Sequence, residues 1–257
     1  MTTEDLFSIV GKTAVVTGGS RGIGLMIARG FVDAGVRVYI SSRKADVCDQ
    51  VAAELSKAGA CFSVPADLST PEGLDHLADE VAAREPGLHI LVNNAGAAWG
   101  APVEEYPASG FDKVLNLNVK AVFELTKRFL PLLRKAASPE DPARVINIGS
   151  IDGIRVPALE NYAYSASKAA VHMLTRHLAH HLVEDHISVN AIAPGPFPSK
   201  MTAFMFEAGE EVVAQSVPMG RVGRPDDVAG TAIFLCSRAG SYLTGAVIPV
   251  DGGMSTR

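Results

Sequence analysis

Short runs of consecutive apolar and β-branched residues recur along the chain at 14–17, 36–41, 61–65, 90–93, 144–149, 188–192 and 246–250. They are too brief for helices, and they do not alternate apolar with polar positions as a half-exposed strand does. Continuous apolarity marks strands covered on both faces. Between them, the stretches 24–33, 45–57, 71–83, 111–135, 162–183 and 226–237 carry helical periodicity, and several open on Ser, Thr, Pro or Asp. This alternation predicts repeated βαβ units, and therefore an α/β chain built on one doubly wound parallel sheet of about seven strands. The stretch 138–142, with two prolines and two acids, reads as a surface loop, and 194–198 holds too many prolines for regular structure.

The length of 257 residues suits one large domain of this kind or two small ones, and no interdomain linker, repeat or low-complexity tract divides it. With 47% hydrophobic and 20% charged residues the composition is that of a globular protein. A formal net charge of −5 offers no basic excess for a phosphate backbone, so the expected partner is a small molecule and not nucleic acid. Cys48, Cys61 and Cys236 form no C-x-x-C pair, which argues against a disulfide framework or a cysteine metal site. The opening Met-Thr-Thr-Glu-Asp is acidic where a targeting segment is basic, and no run is long enough to span a membrane. A cytoplasmic location is expected.

Chemistry first appears after the first predicted strand, in Thr17-Gly18-Gly19-Ser20-Arg21-Gly22-Ile23-Gly24. A glycine turn between a strand and a helix is the context of a Rossmann-type dinucleotide loop. Gly18 permits the tight turn, Gly22 lets backbone approach a pyrophosphate, Gly24 allows close packing, and the helix start offers free N–H groups. The second strand ends Ile40-Ser41-Ser42-Arg43-Lys44, without the acid that bonds a ribose 2′-hydroxyl. NADP is therefore favoured over NAD: Arg43 pairs with a 2′-phosphate, Ser42 donates a hydroxyl and Arg21 approaches from the loop. The alternative is an ordinary solvated turn. The same missing acid argues against a methyltransferase that holds its cofactor's ribose by a carboxylate.

Tyr164 and Lys168 lie four residues apart at the start of a long helical segment, so they share one face. A phenol of pKa about 10 exchanges its proton slowly at neutral pH, and a neighbouring ammonium stabilises the phenolate. Tyr162 has Ala166 at that spacing and is left to packing or substrate contact. Ser150 ends the fifth strand where open α/β sheets bind ligands and can polarise a carbonyl; Asn93-Asn94-Ala95-Gly96 ends the fourth strand at the same edge.

Taken in order, the glycine turn, Asp67, Asn93-Asn94-Ala95-Gly96, Asn118, Ser150, Tyr164 with Lys168, Pro194-Gly195 and Asp251-Gly252-Gly253 resemble the short-chain dehydrogenase/reductase family across nearly the whole chain. The resemblance implies a catalytic tetrad of Asn118, Ser150, Tyr164 and Lys168. Ser150 holds the carbonyl oxygen, Tyr164 delivers a proton, Lys168 also bonds the nicotinamide ribose, and Asn118 holds a relay water. It places Asp67 and Leu68 by the adenine, Asn94, Ala95 and Gly96 by the ribose, and Pro194, Gly195, Phe197, Ser199 and Met201 by the nicotinamide. It further implies a homotetramer packed through the helices bearing Asn118 and Tyr164; no metal is expected.

Within the family the likeness is to 3-oxoacyl reductases of the rhamnolipid-associated kind, through Trp99-Gly100-Ala101, the run Pro142 to Ser150, and Phe197-Pro198-Ser199-Lys200-Met201-Thr202. Ser150 precedes Tyr164 by fourteen residues, one more than the family resemblance leads us to expect, so the intervening loop should bulge. Met201, Phe204, Met205, Phe206 and Met219 make the segment 197–219 either an apolar substrate cover or an ordinary core stripe, and Trp99 is a candidate for the same cleft. Asp141 and Asp185 stand where carrier-docking relatives carry arginines, which argues against strong acyl-carrier docking. The expected activity is NADPH-dependent reduction of a 3-oxoacyl thioester or hydrophobic ketone. A dehydrogenase of a sugar, polyol or cyclic alcohol, or a non-catalytic dinucleotide sensor, are the alternatives. His172, His177, His180, His181 and His186 crowd one region but lack a placed carboxylate or cysteine partner, so a solvated or subunit-contacting face is expected there.

Overall fold

A computed structural model describes residues 2–207 and 209–256. Ala208, inside the expected 197–219 cover, and Met1 and Arg257, the limits of the expected domain, lie outside the described residues. Among the described residues seven strands form the sheet: β1 (Thr13–Thr17), β2 (Arg37–Ser41), β3 (Cys61–Ser63), β4 (Ile90–Asn93), β5 (Ala143–Ile148), β6 (Ile187–Pro194) and β7 (Val247–Val250). Their order is β3-β2-β1-β4-β5-β6-β7, and every pair is parallel. The helices are α1 (Thr3–Phe7), α2 (Gly22–Asp33), α3 (Ala45–Leu55), α4 (Pro71–Ala82), α5 (Ala108–Leu115), α6 (Ala121–Ala136), α7 (Tyr162–Leu182), α8 (Glu210–Gln215) and α9 (Pro225–Cys236). The doubly wound sheet expected from the sequence is thus present.

The period of two along each strand sorts its side chains between two cores. Ala14, Val16, Val38 and Ile40 pack with Ile27, Phe31, Leu55 and Leu235 from α2, α3 and α9. Val15, Tyr39, Leu91 and Val145 pack on the other face with Leu77, Leu125, Phe129 and Leu182 from α4, α6 and α7. Because all strands run the same way, Thr17, Ser41, Asn93, Ile148 and Pro194 end at one edge. The chain winds outward to β3, then restarts beside β1 with β4, which opens a crevice at that edge between β1 and β4.

Several boundaries depart from the sequence reading. The helix expected over 111–135 is not continuous: α5 passes into a π-turn, Asn116–Lys120, before α6 begins. One extra residue per turn there rotates Asn118 inward, which a 3.6-residue pattern does not report. Pro194 closes β6 instead of opening irregular chain, and β3 stops at Ser63. The short α1 and α8 carry too few apolar positions for a periodic signal; none of the α1 residues is buried.

Candidate active site

The glycine loop is shaped by space as well as by backbone angle. Gly18 and Gly22 adopt φ of 65° and 54°, in the left-handed region that favours glycine. A Cβ on Gly24 would run into Asn94 Nδ2 and lie 2.5 Å from the Gly18 carbonyl oxygen. Arg21, the residue before α2, makes no side-chain cap, so the first-turn N–H groups face the crevice uncapped by side chains. Ser20 is buried and Ile23 packs toward the α2 core.

Across the crevice, the Asn94–Gly96 turn hangs from the end of β1. Thr17 Oγ1 accepts the N–H groups of Asn94 and Ala95 at 2.9 Å each and donates to Val92 O at 3.2 Å, while Asn94 Nδ2 donates to Thr17 O at 2.8 Å. Sequence reasoning passed over Thr17; a hydroxyl in an otherwise apolar strand end was the available signal. Beyond β2, Ser42 Oγ is buried and has no hydrogen-bond partner. Arg43 lies near enough to Asp67 to help hold its carboxyl below the usual range, although the larger influence is the Ser69 hydroxyl, which donates to Asp67 Oδ1 at 2.7 Å. Leu68 beside it is buried.

Ser150, Tyr164 and Lys168 meet where β5 ends against α7. Lys168 Nζ is buried, donates to Ile148 O at 2.7 Å and sits 5.4 Å from the centre of the Tyr164 ring. Burial pushes this ammonium down to about 8, against the opposing pull of Asp152. Burial also pushes the Tyr164 phenol up to about 12, with the Ser150 hydroxyl pulling the other way. Burial and the Asp152 charge thus act against the more acidic phenol expected from the sequence and favour a protonated Tyr164 at neutral pH. Ser150 begins a tight turn in which its Oγ accepts the Asp152 N–H at 3.1 Å.

Asn118, 1% exposed, points inward from the π-turn. Its Oδ1 accepts the Ala97 N–H at 2.8 Å, and its Nδ2 donates to Ala97 O and to Ser167 Oγ, both at 2.9 Å. Ser167 Oγ in turn donates to Tyr164 O at 2.7 Å. The side chain thus ties the turn after β4 to α7.

The segment after β6 closes the crevice from above. Pro194 is the last residue of β6, and a Cβ on Gly195 would lie 2.8 Å from Asp251 Cα. Ser199 reaches the glycine loop, since a Cβ on Gly22 would meet its Cβ at 3.2 Å, and Ser199 Oγ lies 2.9 Å from Thr202 Oγ1. Phe197 is only 2% exposed, with its ring in the core against Gly223, and its carbonyl accepts the Thr202 hydroxyl at 2.7 Å. Met201, Phe204 and Met219 are exposed. Trp99 leans on Gly110, and Tyr106 bonds its carbonyl while meeting Tyr162 edge to face.

A cavity of about 450 Å³ lies to one side of this cluster: Phe197, Arg221, Asp227, Val250 and Asp251 line it and none of the tetrad does. Buried proton-transfer groups, not volume, identify the site. His177 and His181 are 4.9 Å apart, and no cluster of metal-ligand residues occurs among the described residues. No described helix is long and apolar enough to cross a membrane. Asp141 pairs with Lys12 and Arg144, and Asp185 with Arg134 at 2.8 Å, so the repulsion of an acidic carrier expected from those two acids is largely neutralised within the chain.

The family described as enoyl-(acyl carrier protein) reductase matches residues 18–255. The chain is 53% identical over 249 residues to the rhamnolipids biosynthesis 3-oxoacyl-[acyl-carrier-protein] reductase of Pseudomonas aeruginosa, covering 96% of this chain and 97% of that one. It is 36% identical over 273 residues to the short-chain dehydrogenase/reductase PhomF of Diaporthe leptostromiformis, covering 97% and 93%. The solved Pseudomonas aeruginosa RhlG/NADP active-site complex superposes with a TM-score of 0.95 at 52% identity, over 98% of this chain and 99% of that one. The glycine loop, the Tyr164–Lys168 turn and these likenesses agree along the full length, and the chain belongs to the short-chain dehydrogenase/reductase family.

Proposed function

We propose that this chain is an NADPH-linked carbonyl reductase acting on a 3-oxoacyl thioester or a hydrophobic ketone. The observation that carries the reading is the convergence of Ser150, Tyr164 and buried Lys168 at the edge where the glycine loop opens. The crevice fits NADP: the loop leaves no room for side chains at Gly18 and Gly24, and Ser42 Oγ is a buried hydroxyl lacking a partner beside Arg43. Gly18, Ser20, Arg21, Gly22, Ile23 and Gly24 hold the pyrophosphate, Ser42 and Arg43 the 2′-phosphate, and Asp67 and Leu68 the adenine. Asn94, Ala95, Gly96, Tyr164 and Lys168 hold ribose, and Pro194, Gly195, Phe197, Ser199 and Met201 the nicotinamide. Bound there, NADPH supplies hydride to a carbonyl carbon.

The chain's own residues do the rest. The Ser150 hydroxyl donates to the carbonyl oxygen and fixes its place. Tyr164, protonated far above neutral pH, gives its proton to that oxygen as charge develops. The charged Lys168 stabilises the phenolate left behind, so turnover should decline as pH rises through about 8. Asn118, its side chain fixed by Ala97 and Ser167, is read as the residue that holds the relay water to Lys168.

Exposed Met201, Phe204 and Met219 beside the crevice suit an alkyl substituent better than a polyol. We read residues 1–257 as a single domain with 197–219 as its cover, because the proposed cofactor contacts run from Gly18 past Pro194. Exposed Phe111, Phe123 and Met173 on α5, α6 and α7 support a homotetramer packed through those helices, and three free, buried cysteines support a cytoplasmic location. Light scattering tests the first. The deciding assay is a panel of 3-oxoacyl thioesters and ketones with NADPH and NADH, with Tyr164→Phe as control. Undiminished turnover by that variant would overturn the mechanism, because phenylalanine keeps the ring but has no proton to give.

A further inference from the structure

His172 stands out among the crowded histidines of α7 because it alone of them is buried, at 5% exposure, with Nε2 lacking any hydrogen-bond partner. It follows Lys168 by one helical turn and faces the loop that carries Ser150. A Cβ on Gly149 would overlap its Nε2 and lie 2.7 Å from its Cδ2; one on Gly153 would lie 2.9 Å from its Cε1. Gly153 also presses on α7 itself, its missing Cβ being 2.6 Å from Lys168 C. The two glycines that bracket the Ser150 turn therefore make room for a single flat ring. The turn is held at both ends, by Gly149 N donating to Ile192 O at 2.7 Å and Gly153 N donating to Ser150 O at 3.0 Å.

We propose that His172 is a positioning residue for the reaction: its ring is the spacer that sets the height of the Ser150 turn above α7 and keeps water from the buried flank of Lys168. The proposal rests on the reductase reading given above. Three observations carry it together. An apolar residue would fill a core without leaving a nitrogen unpaired, so burial alone does not account for an imidazole at this position. The ring touches both glycines around Ser150. It also lies on the same helical face as Lys168, whose Nζ bonds Ile148 O at the root of that turn.

The groups facing Lys168 are Asp152 from the turn, Tyr164 and His172 from α7, and the Ile148 carbonyl from β5; Arg176 faces His172 from below. The Lys168 charge also opposes protonation of His172, whose imidazole is pushed down to about 4 chiefly by burial. The ring is thus a neutral wall at working pH. Opening space there admits water, relieves the desolvation of Lys168 and raises its proton affinity.

The test uses the full chain with saturating NADPH and a 3-oxoacyl substrate, reading kcat across pH 6 to 10, with cofactor affinity by fluorescence titration and folding by thermal melt. His172→Ala should lower kcat at neutral pH by about 10-fold or more, as misplacement of a catalytic group does. It should move the alkaline limb up from about 8 by about one unit, and leave cofactor affinity within about twofold because no ring contact reaches the glycine loop. His172→Phe, which keeps a flat dry ring, should hold the limb in place. If the alanine variant does not fold, His172→Asn, smaller and wetter than histidine, should move the limb in the same direction. Gly149→Ala should be damaging alone and milder in the His172→Ala background, where its methyl enters the vacated space. Equal loss at every pH with the limb unmoved would overturn the proposal, as would wild-type kinetics in the alanine variant. The reductase reading fails separately, by Tyr164→Phe retaining turnover in the otherwise unaltered chain.

Discussion

Replacing Gly24 with alanine should damage the nucleotide crevice even though alanine is the better helix former. In a helix the exchange gains at most about 0.5–1 kcal/mol. Against that, the new methyl would meet Asn94 Nδ2 and lie 2.5 Å from the carbonyl oxygen of Gly18, whose own backbone is fixed in the left-handed region. Overpacking of this kind costs about 1–3 kcal/mol. Moving Asn94 aside forfeits its 2.8 Å bond to Thr17 O, worth about 0.5–1.5 kcal/mol. The clash outweighs the propensity, leaving a net loss of about 0.5–4 kcal/mol, or roughly 1–16 °C of melting temperature for a chain of this size. Gly230→Ala is the matched control: that position lies in α9 with no atom within 4 Å of the added methyl, so it should stabilise by about 0.5–1 kcal/mol. Thermal melts and NADPH fluorescence titration read both. The reasoning is refuted if Gly24→Ala melts as high as Gly230→Ala and binds NADPH as tightly as the parent chain.

Arg43→Ala should raise the KM for NADPH by about 10-fold or more by removing a charge-assisted bond, while the KM for NADH stays nearly constant; an equal rise for both would remove Arg43 from the 2′-phosphate. Asn118→Ala leaves the Ala97 N–H and carbonyl and the Ser167 hydroxyl short of a partner, and chemical denaturation should show about 2–4 kcal/mol of lost stability. Stability should also fall in acid through His172. Its unfolded imidazole takes a proton near 6.5 and the buried one only near 4, so this contribution is complete above 6.5 and about 3 kcal/mol is lost as pH drops through that window. Urea unfolding of the parent chain and His172→Phe at pH 7 and pH 4.5 measures it, since the phenylalanine variant should lose less.

The central strands were legible because they are short and apolar throughout, as 14–17 and 90–93 are, and that pattern follows from burial on both faces. Tyr164 and Lys168 were legible because helical spacing is local. What escaped depends on contacts between distant segments. The π-turn at Asn116–Lys120 is imposed by the bonds of Asn118 to Ala97 and Ser167, which the periodicity of 111–135 does not contain. Phe197 belongs to the core because Gly223 makes room for its ring, twenty-six residues later. The burial of His172 among exposed histidines depends on two glycines from another loop, and the neutralisation of Asp141 on Lys12, 129 residues before it.

Thr17 shows what such long-range contacts accomplish. One hydroxyl joins the end of β1 to amides 77 and 78 residues further along the chain. The spacing between the two banks of the crevice is therefore set by adjacent strands of a rigid sheet and not by either loop. Sequence change in the loops that select cofactor or substrate can alter what is bound without altering how far apart the banks stand, so specificity and reaction geometry are free to vary independently.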